Sequence, residues 1–263
     1  PRSTPLYSSA ASDVYKRQIY EGSVDAKIEL IIYESLTCGH CANFHENVYP
    51  QLKKNFIDKG LIKIEFRSFP FDIAEKVQRG VALADFNGNG KSDIVVGTDD
   101  EFVHLIYDDG TLAWSYETGG DIRVAPTVLE LNTGEKIILV GSKDDNFYGL
   151  NSDGSLRFMI ETDDDIATEA SVVDIDGIGP VIFFASGDFV YAIESDGTAF
   201  GNWPLNIGEE VVSSIVFASI DGYSWPVVMF GDESGKAHIY KIGGSSYDNF
   251  PISYSFPFKG SPT

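Results

Sequence analysis

Two stretches of this chain carry side chains whose types and spacing could do chemistry. The first is Cys38-Gly39-His40-Cys41, which holds both cysteines of the 263 residues. Two thiols three positions apart at the start of a helix suit thiol–disulfide exchange. The partial positive charge of the helix N-terminus lowers the pKa of the first thiol, and the intervening histidine adds a second stabilising dipole or charge. In that scheme Cys38 is the attacking thiolate, His40 stabilises it, and Cys41 resolves the mixed disulfide, so the pair cycles as a redox-active disulfide. The second stretch is Asp85-Phe86-Asn87-Gly88-Asn89-Gly90-Lys91-Ser92-Asp93. Its oxygen-bearing residues Asp85, Asn87, Asn89 and Asp93 fall at loop positions 1, 3, 5 and 9, with glycines at 4 and 6 for the sharp turn. That spacing wraps a hard cation in oxygen ligands, and calcium fits it best. The alternative is an Asx-rich turn that holds no metal.

The elements that would position the cysteines are a strand, a helix and a second strand. "KIELIIY" at 27–33 has strand composition, and apolar Phe44, Val48, Leu52 and Phe56 then recur every four residues, one face of a helix. Pro50 is expected to kink that helix, because the apolar pattern continues past it. "KGLIKIEFRSFPF" at 59–71 reads as the second strand, giving a β-α-β unit with parallel strands.

From Gly80 the pattern changes to short strands, tight turns and internal repetition. Four units span 80–122, 123–166, 167–211 and 212–256. Asp85, Glu130, Asp174 and Ser219 mark their register at spacings of 45, 44 and 45. Asp109-Gly110, Asp153-Gly154 and Asp196-Gly197, with Gly243-Gly244 in the last unit, mark hairpins, expected here as two-residue turns with both residues at positive φ. Four strands per unit is the content of a propeller blade. The expected fold is mainly β: a four-blade partial β-propeller preceded by a truncated thioredoxin-like β-α-β unit.

"IELIIYESLTCGHCANFHENVYPQLKKNFIDKGLIKIEFRSFPFD", residues 28–72, resembles the DsbA-like thioredoxin family. The resemblance implies thiol–disulfide exchange with protein thiols in the bacterial envelope, with Gly39, where the family commonly has proline, tuning the potential. It also implies a cis-proline strand and a closing hairpin that do not follow, since a blade begins within ten residues of Asp72. "DIRVAPTVLELNTGEKIILVG" at 121–141 looks like that missing loop, but it aligns with "DIATEASVVDIDGIGPVIFFAS" at 165–186 of the next repeat. "ALADFNGNGKSDIVVGTDD" and "DGTLAWSYETGGDIRVAPTV" resemble the FG-GAP/VCBS and PQQ-like propeller families, which implies a binding or scaffold module. Loops of the FG-GAP type bind calcium, and among the four repeats only the one at Asp85 keeps all its polar positions.

A zinc site on Cys38, Cys41 and His45 lacks a fourth ligand, and a purely structural disulfide is geometrically poor in so short a loop. Phe44 and His45 read as packing or surface residues, and His104 and His238, in equivalent strand positions, as structural. Asp99-Asp100-Glu101 and Asp163-Asp164-Asp165 read as solvated loop charge, and Trp114, Trp203 and Trp225 as blade packing. No organic cofactor is implied.

Charge is uneven: residues 1–78 carry 10 Lys+Arg against 10 Asp+Glu, and residues 79–263 carry 9 against 30. The acidic second part argues against nucleic acid and suits a secreted calcium binder with a protein or glycan ligand. No apolar run is long enough to span a membrane. "SSAASDVYKRQ" in residues 1–18 resembles translated adapter sequence of metagenomic assemblies, and this segment is set aside as disordered or artefactual. The chain starts at Pro1 without Met, so a fragment is expected, with units at 19–78 and 79–258 and a periplasmic or extracellular setting. The leading expectation is two unrelated pieces joined near 73–79. The alternatives are a true, active fusion and a non-enzymatic calcium-dependent binding or adhesion protein.

Overall fold

The computed structural model describes residues 19–34, 39–68, 76–77, 80–166 and 168–255. The N-terminal unit runs β1 (Ile19–Gly22), β2 (Ile28–Glu34), α1 (Gly39–Asn47), α2 (Tyr49–Leu52), a π-helical turn (Lys53–Ile57) and β3 (Ile62–Ser68). Its sheet has the order β1-β3-β2. β2 and β3 are parallel, in register from Ile28 opposite Ile62 to Glu34 opposite Ser68, as the β-α-β pattern requires. β1, which the sequence pattern left unassigned, pairs antiparallel with β3.

Pro50 does not kink a continuous helix. α1 ends at Asn47, and the chain restarts with Pro50 in the first turn of α2, where its missing N–H costs nothing. The expected four-residue apolar face is also rearranged by this break: Val48 and Phe56 are exposed. Ile57 takes their place in a core of Ile57, Ile62, Ile64 and Phe66, with Ile32, Tyr49 and Leu52 packed against it.

Four four-stranded antiparallel sheets follow. Blade 1 is β4 (Ala82–Ala84), β5 (Asp93–Gly97), β6 (Phe102–Ile106) and β7 (Leu112–Glu117). Blade 2 is β8 (Thr127–Glu130), β9 (Lys136–Gly141), β10 (Asn146–Asn151) and β11 (Leu156–Glu161). Blade 3 is β12 (Ser171–Ile175), β13 (Gly179–Ser186), β14 (Phe189–Glu194) and β15 (Leu205–Asn206). Blade 4 is β16 (Val216–Ala218), β17 (Val227–Gly231), β18 (Lys236–Lys241) and β19 (Ile252–Ser253). The strands pair in chain order, so each sheet is a meander, and the chain is mainly β with propeller-like blades.

The Asp-Gly hairpins take a different turn from the one expected. Gly110, Gly154, Gly197 and Gly244 have φ of 83°, 83°, 90° and 92°, while no aspartate before them has positive φ. In blade 1, Gly110 N–H donates to Tyr107 O and Tyr107 N–H to Thr111 O, at 2.8 and 2.9 Å. These are three-residue loops, a type I turn closed by a left-handed glycine. Asp109, Asp153 and Asp196 fill the turn by accepting from the N–H and hydroxyl of Thr111, Ser155 and Thr198.

The blades are joined by one device used three times. Trp114 of β7 donates its Nε1–H to Ser152 O at 3.0 Å, and a β-carbon on Gly154 would lie 2.7 Å from its ring. In the next joint Phe158 lies on Gly197, while the neighbouring Arg157 Nε–H reaches Ser195 O at 3.0 Å. In the third, Trp203 Nε1–H donates to Ile242 O at 2.9 Å beside Gly244. Each ring thus sits on the hairpin turn of the following blade, and the bond goes to the carbonyl two residues before the turn glycine. Trp114 and Trp203 are packing residues as expected, but Trp225 is 43% exposed and takes no such part.

The propeller register begins before Gly80. Asp99 N–H donates to Lys76 O, as Lys143 N–H donates to Asp121 O in blade 2 and Glu233 N–H to Glu210 O in blade 4. Val77 packs on Ile94, Val96 and Ile106. Residues 69–75 and 78–79, which contain most of the expected join, lie outside the described residues, as do 1–18.

Candidate functional site

β2 ends at Glu34 and α1 begins at Gly39, so the CGHC stretch lies where a strand hands over to a helix. Gly39, His40 and Cys41 form the first turn of α1. Cys38 lies outside the described residues. The helix N-terminus therefore falls at the cysteine pair, the placement that favours a thiolate.

The residues that frame this turn are described in full. His45, in the last turn of α1, has its Nε2 2.5 Å from Glu34 Oε2 at the end of β2. The pair bridges the two elements that flank the cysteine segment. His45 also stands in an aromatic group: its ring centroid is 5.6 Å from Phe44, 5.4 Å from Tyr49 and 5.4 Å from Phe66. Tyr49 Oη is buried with no hydrogen-bond partner. His45 is thus a packing residue at the surface, as its sequence position suggests, and the pairing with Glu34 is added to that role.

The loop from Asp85 to Asp93 joins β4 to β5 and separates its four candidate ligands, three on the open side and one inside the blade. Asp85 accepts the N–H groups of Gly88, Asn89 and Gly90 at 2.7, 3.1 and 2.8 Å, and these donors, Gly90 first, hold its carboxyl below its ordinary pKa. Asn87 Oδ1 accepts from Asn89 N–H and Asn89 Oδ1 from Lys91 N–H. Asp93 is fully buried and turned into the blade, where it accepts the N–H of Phe86 and of Asp108 at 2.8 and 2.9 Å. Burial raises its pKa despite these donors. Lys91 Nζ lies 3.1 Å from Asp108 Oδ2, and that partner raises the lysine's pKa. Asp85, Asn87 and Asn89 are left on the open side of the loop. Asp85 Oδ1 takes two of the loop's N–H groups, whereas Asp85 Oδ2, Asn87 Oδ1 and Asn89 Oδ1 each take one and keep a lone pair that could reach a hard cation; Asp93 pins the base of the loop.

A second set of carboxylates escaped the sequence reading. Asp100, Asp144, Asp188 and Asp232 recur every 44 residues in the turns between second and third strands. Asp144 Oδ2 accepts from Tyr148 Oη at 2.5 Å and from Gly119 N–H of blade 1 at 2.7 Å. Burial pushes the Asp144 carboxyl up, but these donors, with Ser142 and Asn146, outweigh it and hold it low. Asp232, fully buried, bonds His238 Nε2 at 2.7 Å and accepts from Lys236 N–H at 2.9 Å. His104 Nδ1 lies 2.7 Å from Ser115 Oγ. Both histidines pair across equivalent strands, with Val96 and with Phe230, consistent with structural roles. Among the described residues, carboxylate oxygens of Asp145, Asp164 and Asp165 also lie within 4.8 Å of one another, with Lys143 paired to Asp165 at 2.5 Å.

The strand order and the position of the cysteine turn define a thioredoxin-type unit, and comparison with known proteins agrees. The sequence profile of the family described as thioredoxin matches residues 15–99. That span runs past β3 into blade 1, whose strands β4 and β5 pair with each other. A candidate protein-disulfide oxidoreductase of Rickettsia bellii is 42% identical over 48 residues, 18% of each chain. A candidate disulfide bond formation protein D of Bacillus cereus is 33% identical over 57 residues, 22% of this chain and 26% of that one. The α-DsbA1 crystal structure from Wolbachia pipientis is 45% identical over 21% of this chain and 28% of its own, with a TM-score of 0.20. The N-terminal part is thus thioredoxin-like and similar to these disulfide oxidoreductases over a short stretch, and the chain spans less than a fifth of the length of the Rickettsia relative. BamB from Moraxella catarrhalis is 12% identical, covers 69% of this chain and 52% of its own, and has a TM-score of 0.49. No helix among the described residues is long and apolar enough to cross a membrane.

Proposed function

We propose that the N-terminal segment is a thiol–disulfide oxidoreductase acting on protein thiols through Cys38 and Cys41, with His40 stabilising the Cys38 thiolate. The four blades serve as a non-catalytic binding or scaffold module for a protein or glycan. The observation that supports this most is the order strand, CGHC, helix, strand, with β2 and β3 parallel and α1 starting at Gly39. Such chemistry belongs to an oxidising setting, the periplasm or the cell exterior. Insulin reduction by the full chain tests the reading. Turnover is expected in the wild type and lost in Cys38→Ser; no turnover above that variant refutes it.

A second reading, a calcium-dependent binding or adhesion protein, is favoured by Asp85, Asn87 and Asn89 on the open side of one loop. A bound calcium would neutralise the loop and brace β4 against β5. On this reading calcium raises the thermal midpoint and Asp85→Ala abolishes the gain; a midpoint indifferent to calcium and chelator counts against it.

A further inference from the structure

We propose that Asn87 and Asn89 are the deamidation sites of this chain and that the Asp85 carboxylate holds them unreacted. An asparagine followed by glycine is the dipeptide most open to this chemistry, because glycine has no side chain to hinder ring closure. Asn87-Gly88 and Asn89-Gly90 are the two Asn-Gly pairs of the 263 residues, and they are consecutive. All four residues are exposed, so water and hydroxide reach them.

The reaction begins at the glycine. A base removes the proton of the glycine N–H, and the nitrogen attacks Cγ of the preceding asparagine. The new C–N bond closes a five-membered imide as the bond from Cγ to Nδ2 breaks. Nδ2 takes up a proton and leaves as ammonia. Water then opens the imide at one of its two carbonyls, giving aspartate or, with the main chain rerouted through Cγ, isoaspartate. No electrons are gained or lost, and water is the co-reactant.

The loop opposes the first step at both sites with one side chain. Gly88 N–H donates to Asp85 Oδ1 at 2.7 Å and Gly90 N–H to Asp85 Oδ2 at 2.8 Å. Each proton is engaged, and each nitrogen would have to become anionic beside an existing negative charge. The side-chain amides are tied down as well. Nδ2 of Asn89 donates to Asp108 Oδ1 at 2.6 Å, and Nδ2 of Asn87 to Asp93 Oδ1 at 3.3 Å. One contact works the other way: Asn89 N–H on Asn87 Oδ1 polarises that carbonyl and favours attack. Hydrogen bonds to an ionised group are about twice as strong as neutral ones, so the carboxylate decides. The guarded state matters to the blade. A carboxylate at 89 would replace a donor by an acceptor against buried Asp108, and isoaspartate would lengthen the main chain of the loop.

The test incubates the full chain in mildly alkaline buffer and follows conversion at each asparagine by peptide mass spectrometry. Chelator is present, so that no cation takes the same oxygens. Asp85→Ala uncovers both glycine nitrogens and should convert at least about tenfold faster than the wild type, the factor that one charge-assisted hydrogen bond represents. Asp85→Asn keeps the shape but offers one oxygen in place of two, so one asparagine should accelerate and the other stay slow. Far-ultraviolet circular dichroism reports whether each variant folds. Wild-type rates at both asparagines in a folded variant overturn the inference. The wild type alone supplies a second readout, because base-catalysed hydrogen exchange passes through the same amide anion. Gly88 and Gly90 N–H, although exposed, should exchange at least about tenfold more slowly than in the chain unfolded by urea at the same pH. Exchange as fast as in the unfolded chain overturns the inference without any variant.

Discussion

Gly154 and Gly134 provide a matched pair for measuring what the ring-on-turn joint contributes. Both have φ of 83°. A β-carbon on Gly134 would meet nothing within 4 Å, whereas on Gly154 it would lie 2.7, 2.9 and 3.0 Å from Cδ2, Cγ and Cε3 of Trp114. Gly134→Ala therefore costs only the left-handed conformation, about 1–2 kcal/mol. Gly154→Ala bears the same cost and also displaces the indole. The displacement breaks the 3.0 Å bond from Trp114 Nε1 to Ser152 O, about 1 kcal/mol, and overpacks the joint by about 1–3 kcal/mol. The total is about 3–6 kcal/mol for Gly154→Ala against about 1–2 for Gly134→Ala. At about 2–4 °C per kcal/mol for a domain of this size, the two thermal midpoints should separate by several degrees. Thermal denaturation followed by tryptophan fluorescence reads the midpoint. Equal midpoints for the two variants, or a lower one for Gly134→Ala, would refute the claim that this contact joins the blades.

Two further outcomes follow from the aspartates of these turns. The Asp144 carboxyl is held below its ordinary pKa, so its contribution is fully present above the unfolded value and is lost as pH falls through the folded one. Asp144→Asn should then lower the midpoint at neutral pH and flatten its decline in acid, and an unchanged acid slope in a pH series of melts would argue otherwise. Asp232→Ala removes the partner of buried His238 and the acceptor of Lys236 N–H. It should lower the urea midpoint by an amount equivalent to about 2–4 kcal/mol, and a loss under about 1 kcal/mol would contradict the assigned network.

The sequence made the large pattern legible because propeller blades repeat their turn chemistry. Asp109-Gly110, Asp153-Gly154 and Asp196-Gly197 located three hairpins, and every strand of the four sheets falls within the unit that repetition marked out. Turn type was misjudged because Asp-Gly also suits a three-residue loop, in which only the glycine needs positive φ and the aspartate caps the residue two further on. The helix face was misjudged because Pro50 starts a second segment, and one broken turn redirects every later side chain. Pairings between residues far apart were the least legible. Glu34 meets His45 only because α1 returns to the end of β2, and the aspartates at 100, 144, 188 and 232 hid among many other acids despite their even spacing.

The joint between blades has a direction. In each of the three, the earlier blade offers the ring and the later blade offers the glycine turn and its carbonyl. Repeat stability divides into within-blade terms and nearest-neighbour terms, and here each neighbour term is written half in one blade and half in the next, always in the same order. The blades are therefore not interchangeable beads. A segment that replaces blade 2 or blade 3 must bring both a turn for the ring before it and a ring for the turn after it. Shuffling whole units preserves the joints only when the cuts fall between a turn and the ring that follows it, so that the array carries a polarity like that of a strand of interlocking links.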